Sequence, residues 1–268
     1  MRRPQSIRFP KILLSIVLSS FLVACSSTNE ITGRKQFIMF GPEQDVAMGV
    51  QAMEEIKKTE DVMTSGPYDR RVKRLGNAIA AKSDRPDFPW EFIAIRSDQL
   101  NAFALPGGQS AVYTAMMDAF KSDPELAAVM GHEIAHAVLR HGAEQLSRGQ
   151  AQNIFIGVIG AVAGSTSDSQ DTTEGAMQLA AMATQLGFAL PHSRSMELEA
   201  DHIGTLYMAR AGYDPRAAVA LWKKMAEMSA NAQKPPLWFS THPSDEQRIK
   251  QLEDNMDEYM KVYLANKK

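Results

Sequence analysis

The sequence predicts an α+β fold that is mostly helical, with a small antiparallel-edged sheet placed just before a central helix. Three observations carry this. Apolar residues recur at spacings of three and four through most of the chain, and alternation is confined to the stretch from Trp90 to Tyr113. The helix that follows has a strong start at Ser122-Asp123-Pro124-Glu125: a side-chain cap, a proline in the first turn and an acid near the positive end of the dipole. The chain has 268 residues and a net charge of -2, with acidic and basic residues interspersed. Nucleic-acid binding therefore has no electrostatic footprint. The 16 methionines suit irregular core gaps or an adaptable apolar surface.

Residues 1–24 read as an export signal. Arg2, Arg3, Arg8 and Lys11 form a basic start, and Ile12 to Val23 form an apolar core that ends in small residues. At about 12 residues this core is shorter than the roughly 20 that a membrane span needs. Cys25 is the only cysteine, which excludes an internal disulfide. It stands where a bacterial lipoprotein signal places the residue that is lipidated. Ser26 and not Asp follows it, which by resemblance to Gram-negative lipoproteins favours the outer membrane over the inner one. Residues 25–41 are expected to tether this anchor to a domain spanning 42–268.

Pro42-Glu43 opens a helical pattern with Val46, Val50, Met53 and Ile56 on one face, broken at Gly66-Pro67. A second helix carries Val72, Leu75 and Ile79. Strands are expected at Trp90 to Ile95, Asn101 to Leu105 and Gln109 to Tyr113, with a turn at Pro106-Gly107-Gly108. The third strand runs into a helix through Met116, Met117 and Phe120. The central helix buries Leu126, Val129, Met130, Ile134 and Val138, with Arg140 and His141 near its end and Gly142 as the stop. Residues 151–164 are almost wholly apolar but short for a span. With the polar Ser165–Thr173 loop and a helix over 176–190, they read as an inserted apolar hairpin over 151–190, either a lid or a membrane- or subunit-facing element. Helices are then expected from Ser195 to Ala211, after Asp214-Pro215, and from Asp245 to Tyr263, with a loop at Pro235-Pro236.

The central helix carries His132-Glu133-Ile134-Ala135-His136. Residues four apart share a helix face, so the two imidazoles address one point and can supply two nitrogen ligands to zinc. Glu133 is about 100° round the helix, flanking the metal as a general base on activated water. His141, five residues after His136, is about 140° away and cannot join them from the same helix. The third ligand is sought in Ser193-Arg194-Ser195-Met196-Glu197-Leu198-Glu199-Ala200-Asp201. Glu197 and Asp201 share a face, so Glu197 can bind zinc while Asp201 accepts the outer N–H of a ligating histidine. Glu199, about 200° from Glu197, is the less favoured alternative ligand.

These motifs, with Asn101-Ala102-Phe103-Ala104-Leu105-Pro106-Gly107-Gly108, resemble the gluzincin family of HtpX-type and CAAX prenyl protease-type peptidases over most of residues 43–253. The chain is more similar to stand-alone periplasmic lipoprotein metalloproteases of the LoiP type than to integral-membrane members. The resemblance implies a gluzincin-type domain with one Zn2+ held by His132, His136 and Glu197, Glu133 as base and Asp201 behind the ligands. It further implies that Asn101, Ala102, Phe103 and Ala104 border the cleft, where an extended peptide can pair with a strand edge. His242-Pro243, followed by Arg248, resembles a further family feature: His242 would stabilise the oxyanion or occupy the open zinc position. His192 and His202 are expected to be structural or exposed. The function so implied is a zinc endopeptidase of the periplasm, lipid-anchored to the outer membrane. Misfolded or unassembled envelope proteins are its expected substrates, and an oligomer is allowed. The rival reading is a lipoprotein chaperone or assembly factor that binds exposed strands, with proteolysis secondary.

Overall fold

The structure is a computed structural model that describes residues 26–162, 192–230, 237–242 and 246–267. The expectations for the signal, Cys25, the Ser165–Thr173 loop and the helix over 176–190 lie outside those residues.

The first element is a hairpin of β1 (Ser26–Thr28) and β2 (Lys35–Phe37), paired antiparallel. Asn29 shapes its turn, accepting at Oδ1 from the Ile31 and Thr32 amides at 3.0 and 3.2 Å. This segment was expected to be a tether, and the structure instead docks it. Asn29 Nδ2 and Gln36 Nε2 donate to the Leu139 carbonyl at 3.3 and 2.8 Å. The physical reason is that a buried helix C-terminus leaves carbonyls without intrahelical partners, and polar side chains of the hairpin supply the missing donors.

Helix α1 (Pro42–Thr59) has acids in its first turn and lysines in its last, matching its dipole. After β3 (Val62–Met63), α2 (Pro67–Ala80) buries Val72, Leu75 and Ile79. Strands β4 (Glu91–Ile95), β5 (Ala102–Ala104) and β6 (Gln109–Tyr113) complete a sheet of order β3-β4-β6-β5. Its central pair, β4 and β6, is parallel, and both outer pairs are antiparallel. The expected antiparallel-edged sheet is therefore present, and β3 is the strand too short to read in the sequence.

Helix α3 (Thr114–Ala119) leads to α4 (Asp123–Val138). A reciprocal cap starts α4: Glu125 N donates to Ser122 Oγ, and Ser122 N donates to Glu125 Oε2. Every residue from Leu126 to Val138 is buried, so α4 is the central helix. Its end differs from expectation. Leu139 caps it, Arg140 takes φ 59°, and α5 (His141–Val162) begins at once. Gly142 thus lies in a first turn and stops nothing. A left-handed arginine costs about 1–2 kcal/mol. The cost is offset where Arg140 Nε donates to buried Asp45 at 2.6 Å and Nη2 to the Phe40 carbonyl at 2.7 Å. The first part of the apolar run, 151–162, continues α5.

Helices α6 (Arg194–Arg210), α7 (Arg216–Ala230) and α8 (Leu237–Thr241) follow. The expected last helix is two, α9 (Glu246–Asp254) and α10 (Met256–Asn266). Asn255 separates them, its Nδ2 donating to the Gln251 carbonyl at 2.8 Å and so competing with the helical pattern. Among the described residues no helix is long and apolar enough to cross a membrane.

The contact that places the site is α4 against α6. A β-carbon on Gly131 would lie 2.7 Å from the Gly204 carbonyl oxygen, and one on Gly204 would lie 2.6 Å from the Gly131 carbonyl. The helices therefore meet backbone on backbone. That close approach brings Glu197 and Asp201 within side-chain reach of His132.

Candidate metal centre

His132 and His136 from α4, Glu197 from α6 and His242 just after α8 each turn one ligand atom inward, all within 4.8 Å of one another. All four side chains are at most 3% exposed. His132 Nε2 lies 3.0 Å from His136 Nε2 and 3.2 Å from His242 Nδ1. Glu197 Oε1 is 3.3 Å from His136 Nε2 and 3.1 Å from His242 Nδ1, and Oε2 is 3.5 Å from His132 Nε2. The donors converge on one point, and imidazoles with a carboxylate are a donor set that suits zinc.

The outer nitrogens agree with that fit. His132 Nδ1 is 2.9 Å from Asp201 Oδ1 and His136 Nδ1 is 2.9 Å from His141 Nδ1, which leaves both Nε2 atoms facing the common centre. Asp201 also accepts from Trp222 Nε1 at 3.0 Å and from Arg248 Nε and Nη2 at 2.6 and 2.8 Å. Arg248 Nη1 reaches Glu197 Oε2 at 2.5 Å, and its guanidinium lies 3.4 Å over the Trp222 ring.

Burial pushes the His132 imidazole down, but its bonds to Asp201 and Glu197 outweigh this and raise its pKa to about 9. For His136, burial and the neighbouring His192 and His132 hold it well below the usual histidine range. Burial lowers His141 too. Burial would raise Glu197 and Asp201, yet Arg248 beside both, aided by His242 for Glu197, keeps them ionised below the usual carboxylate range.

Glu133 lies beside the cluster. Its Oε1 accepts from Trp238 Nε1 at 2.9 Å and is 3.5 Å from His242 Nε2. The Trp238 indole stacks on Trp222, with ring centroids 4.9 Å apart. Trp238 N also donates to the Leu100 carbonyl at 3.4 Å, so α8 runs beside the entry to β5. Asn101, Ala102 and Phe103 are buried and Ala104 is half-buried. β5 pairs with β6 on one side and has no strand on the other among the described residues.

The structure thus brings together His132, Glu133, His136, Glu197, Asp201 and His242. Glu199 turns away and meets His141 and Arg34. Sequence reasoning missed three neighbours. His141 reaches His136 because the chain reverses at Arg140. His192 stacks on His136 with centroids 4.1 Å apart, and Trp238 binds Glu133. The histidines were visible as residue types near the motifs; Trp238 carried no signal. His202 lies apart, with Nδ1 2.7 Å from the Tyr259 hydroxyl.

Two histidines one helical turn apart, a glutamate next to the first and an acid from a second helix define a metallopeptidase centre of the gluzincin kind. The sequence pattern of peptidase family M48 matches residues 68–256, and the chain belongs to that family, whose metal is zinc. It is 34% identical over 227 residues to the mitochondrial metalloendopeptidase OMA1 of Arabidopsis thaliana, covering 82% of this chain and 44% of that protein. It is 36% identical over 192 residues to the protein of the same name from Schizosaccharomyces pombe, covering 72% and 54%. It is 29% identical over 209 residues to the beta-barrel assembly-enhancing protease of Yersinia pestis, covering 77% and 43%. The chain spans about half the length of these relatives.

Proposed function

We propose that this chain is a zinc-dependent endopeptidase of the bacterial cell envelope that cleaves misfolded or unassembled proteins. The observation that carries the reading is the convergence of His132, His136 and Glu197 with the Glu133 carboxylate alongside. Zinc held there supplies a Lewis acid that lowers the pKa of water and polarises a peptide carbonyl. Glu133 takes the proton from the attacking water and returns it to the departing amine, so the peptide bond is exchanged for a carboxylate and an amine. Asp201 holds the His132 ring, and Arg248 holds both Asp201 and Glu197. His242 faces the same centre, with Nδ1 3.1 Å from Glu197 Oε1 and Nε2 3.5 Å from Glu133 Oε1, where it would face the oxygen of an attacked carbonyl. An extended substrate adds to the edge of β5 along Asn101 to Ala104.

Glu197→Ala is expected to lose both zinc and cleavage of an unfolded protein, measured as metal per chain and as peptide release. If Glu197→Ala retains both, the assignment of ligands is wrong.

The location rests on the signal-like residues 1–24 and on Cys25 after them. The name of the beta-barrel assembly-enhancing protease relatives supports an envelope substrate, whereas the mitochondrial relatives share the chemistry and not the compartment. We place the mature chain in the periplasm, anchored through lipid on Cys25 to the outer membrane. Cys25→Ser should shift the protein from the membrane to the soluble fraction or leave its signal attached. Mass spectrometry finding an unmodified N-terminus at another residue would exclude the anchor.

A further inference from the structure

We propose that His141, Glu199 and Arg34 are positioning residues that set the His136 ring for metal binding, which makes the N-terminal hairpin part of the support of the metal centre. The inference rests on reading His136 as a zinc ligand. The geometry then assigns every proton along the chain of contacts. His136 Nε2 faces His132 Nε2 and Glu197 Oε1, so Nδ1 is its outer nitrogen. An Nε2 that offers its lone pair to a metal leaves the ring proton on Nδ1. That proton points at His141 Nδ1, 2.9 Å away, so His136 donates and His141 accepts.

The His141 proton must then sit on Nε2, which is 3.1 Å from Glu199 Oε2. The same carboxylate oxygen accepts from Arg34 Nε at 2.7 Å. Arg34 is itself fixed by a two-pronged contact, Nη1 and Nη2 donating to Glu144 at 3.1 and 2.7 Å. Glu144 is fully buried and is also met by Gln36 Nε2 at 3.1 Å and Arg148 Nη2 at 2.5 Å. The donors therefore run one way, from His136 through His141 to a carboxylate held by a hairpin arginine. This parallels the direct bond from His132 to Asp201, with one imidazole interposed.

Nothing in this arrangement follows from the paired histidines of α4 alone. It needs the reversal at Arg140, which turns His141 back toward α4, and it needs β1 and β2 docked on α5 and α6. The hairpin lies outside the stretch that matches the family pattern. His141 is buried with no exposure and both its nitrogens engaged, so its ring has one tautomer available for this task.

The test is zinc affinity of the full chain, measured by competition with a chelator, with fold checked by cooperative thermal unfolding. His141→Leu and Glu199→Ala should weaken zinc binding about 10- to 100-fold. Arg34→Ala should weaken it by less, since Glu199 remains. His141→Gln presents an acceptor oxygen to His136 and an N–H to Glu199, so it should bind zinc nearly as the unaltered chain does. In the cobalt-substituted protein, the His136 Nδ1–H resonance should exchange slowly with water in the unaltered chain and in His141→Gln, and quickly in His141→Leu. Equal zinc affinity in a folded His141→Leu chain would overturn the proposal. So would His141→Gln as weak as His141→Leu, since packing alone would then explain the effect. If His141→Leu does not fold, the partly exposed Glu199→Ala and Arg34→Ala carry the test, and unchanged affinity in both overturns it. His136→Ala is the reference: if it keeps zinc, the ligand reading fails and takes this inference with it, whereas loss of zinc there with no loss in the relay variants defeats the relay alone.

Discussion

Glu133→Gln is expected to lower the rate of peptide cleavage by about 10²- to 10⁴-fold while the chain keeps its zinc. Glu133 sits next to His132 on the same helix but is not one of the four converging ligand groups. Its carboxylate is directed to the indole N–H of Trp238 and to His242 at the rim of the cluster. Glutamine matches its volume and still offers an oxygen to Trp238, so packing around the fully buried Trp238 should be preserved. On the proposed role, what the amide loses is the ability to take a proton from water and deliver it to the leaving amine. Metal per chain and cleavage of an unfolded protein measured on the same preparation separate the two roles. Loss of zinc along with activity would move Glu133 into the ligand set, and cleavage at the unaltered rate would remove it from the chemistry.

Local signals carried much of this fold. The Ser122–Glu125 cap, the apolar spacing of α4 and the alternation from Trp90 to Tyr113 each depend on residues near in sequence, and each appears where the sequence puts it. The convergence of His132, His136, Glu197 and Asp201 was legible because spacing of four on a helix defines a face. What was not legible depends on distant partners. Gly142 read as a stop, yet the reversal falls at Arg140, held in the left-handed region by Asp45 from α1. The polar residues of the hairpin read as a solvated tether because nothing local shows that the Leu139 carbonyl needs donors. Trp238 lies on a five-residue helix with no periodicity to display, and only the tertiary fold brings its indole to Glu133.

The surroundings of Glu133 follow from the same long-range contacts. Trp238 and His242 belong to one short segment beside β5, and together they meet Glu133 and His132. The Trp238–Trp222 stack and the bond from Trp238 N to Leu100 hold that segment in place.

Replacing Arg248 with leucine should make the stability of the chain far more dependent on zinc. Three buried carboxylates, Glu133, Glu197 and Asp201, line the centre, and one buried guanidinium, Arg248, meets the last two. The two positive charges of zinc balance that set, with neutral histidines. Without zinc the set is two charges short. Arg248 contacts Glu197 Oε2 and both oxygens of Asp201, so leucine leaves two carboxylates without their nearest cation. Removing one partner from a buried ion pair costs about 3–5 kcal/mol, which for a chain of this size lowers the melting temperature by about 6–20 °C. The zinc-free form should show that loss in full. The loaded form should lose less, because zinc held by His132, His136 and Glu197 would still offset the Glu197 charge. The gap in melting temperature between the two forms should therefore widen in Arg248→Leu. Arg248→Lys should fall between, since an ammonium keeps the charge but cannot span two carboxylates with a planar fork. Equal losses with and without zinc would mean that Arg248 acts through its packing on Trp222 and not through the charges of the metal centre.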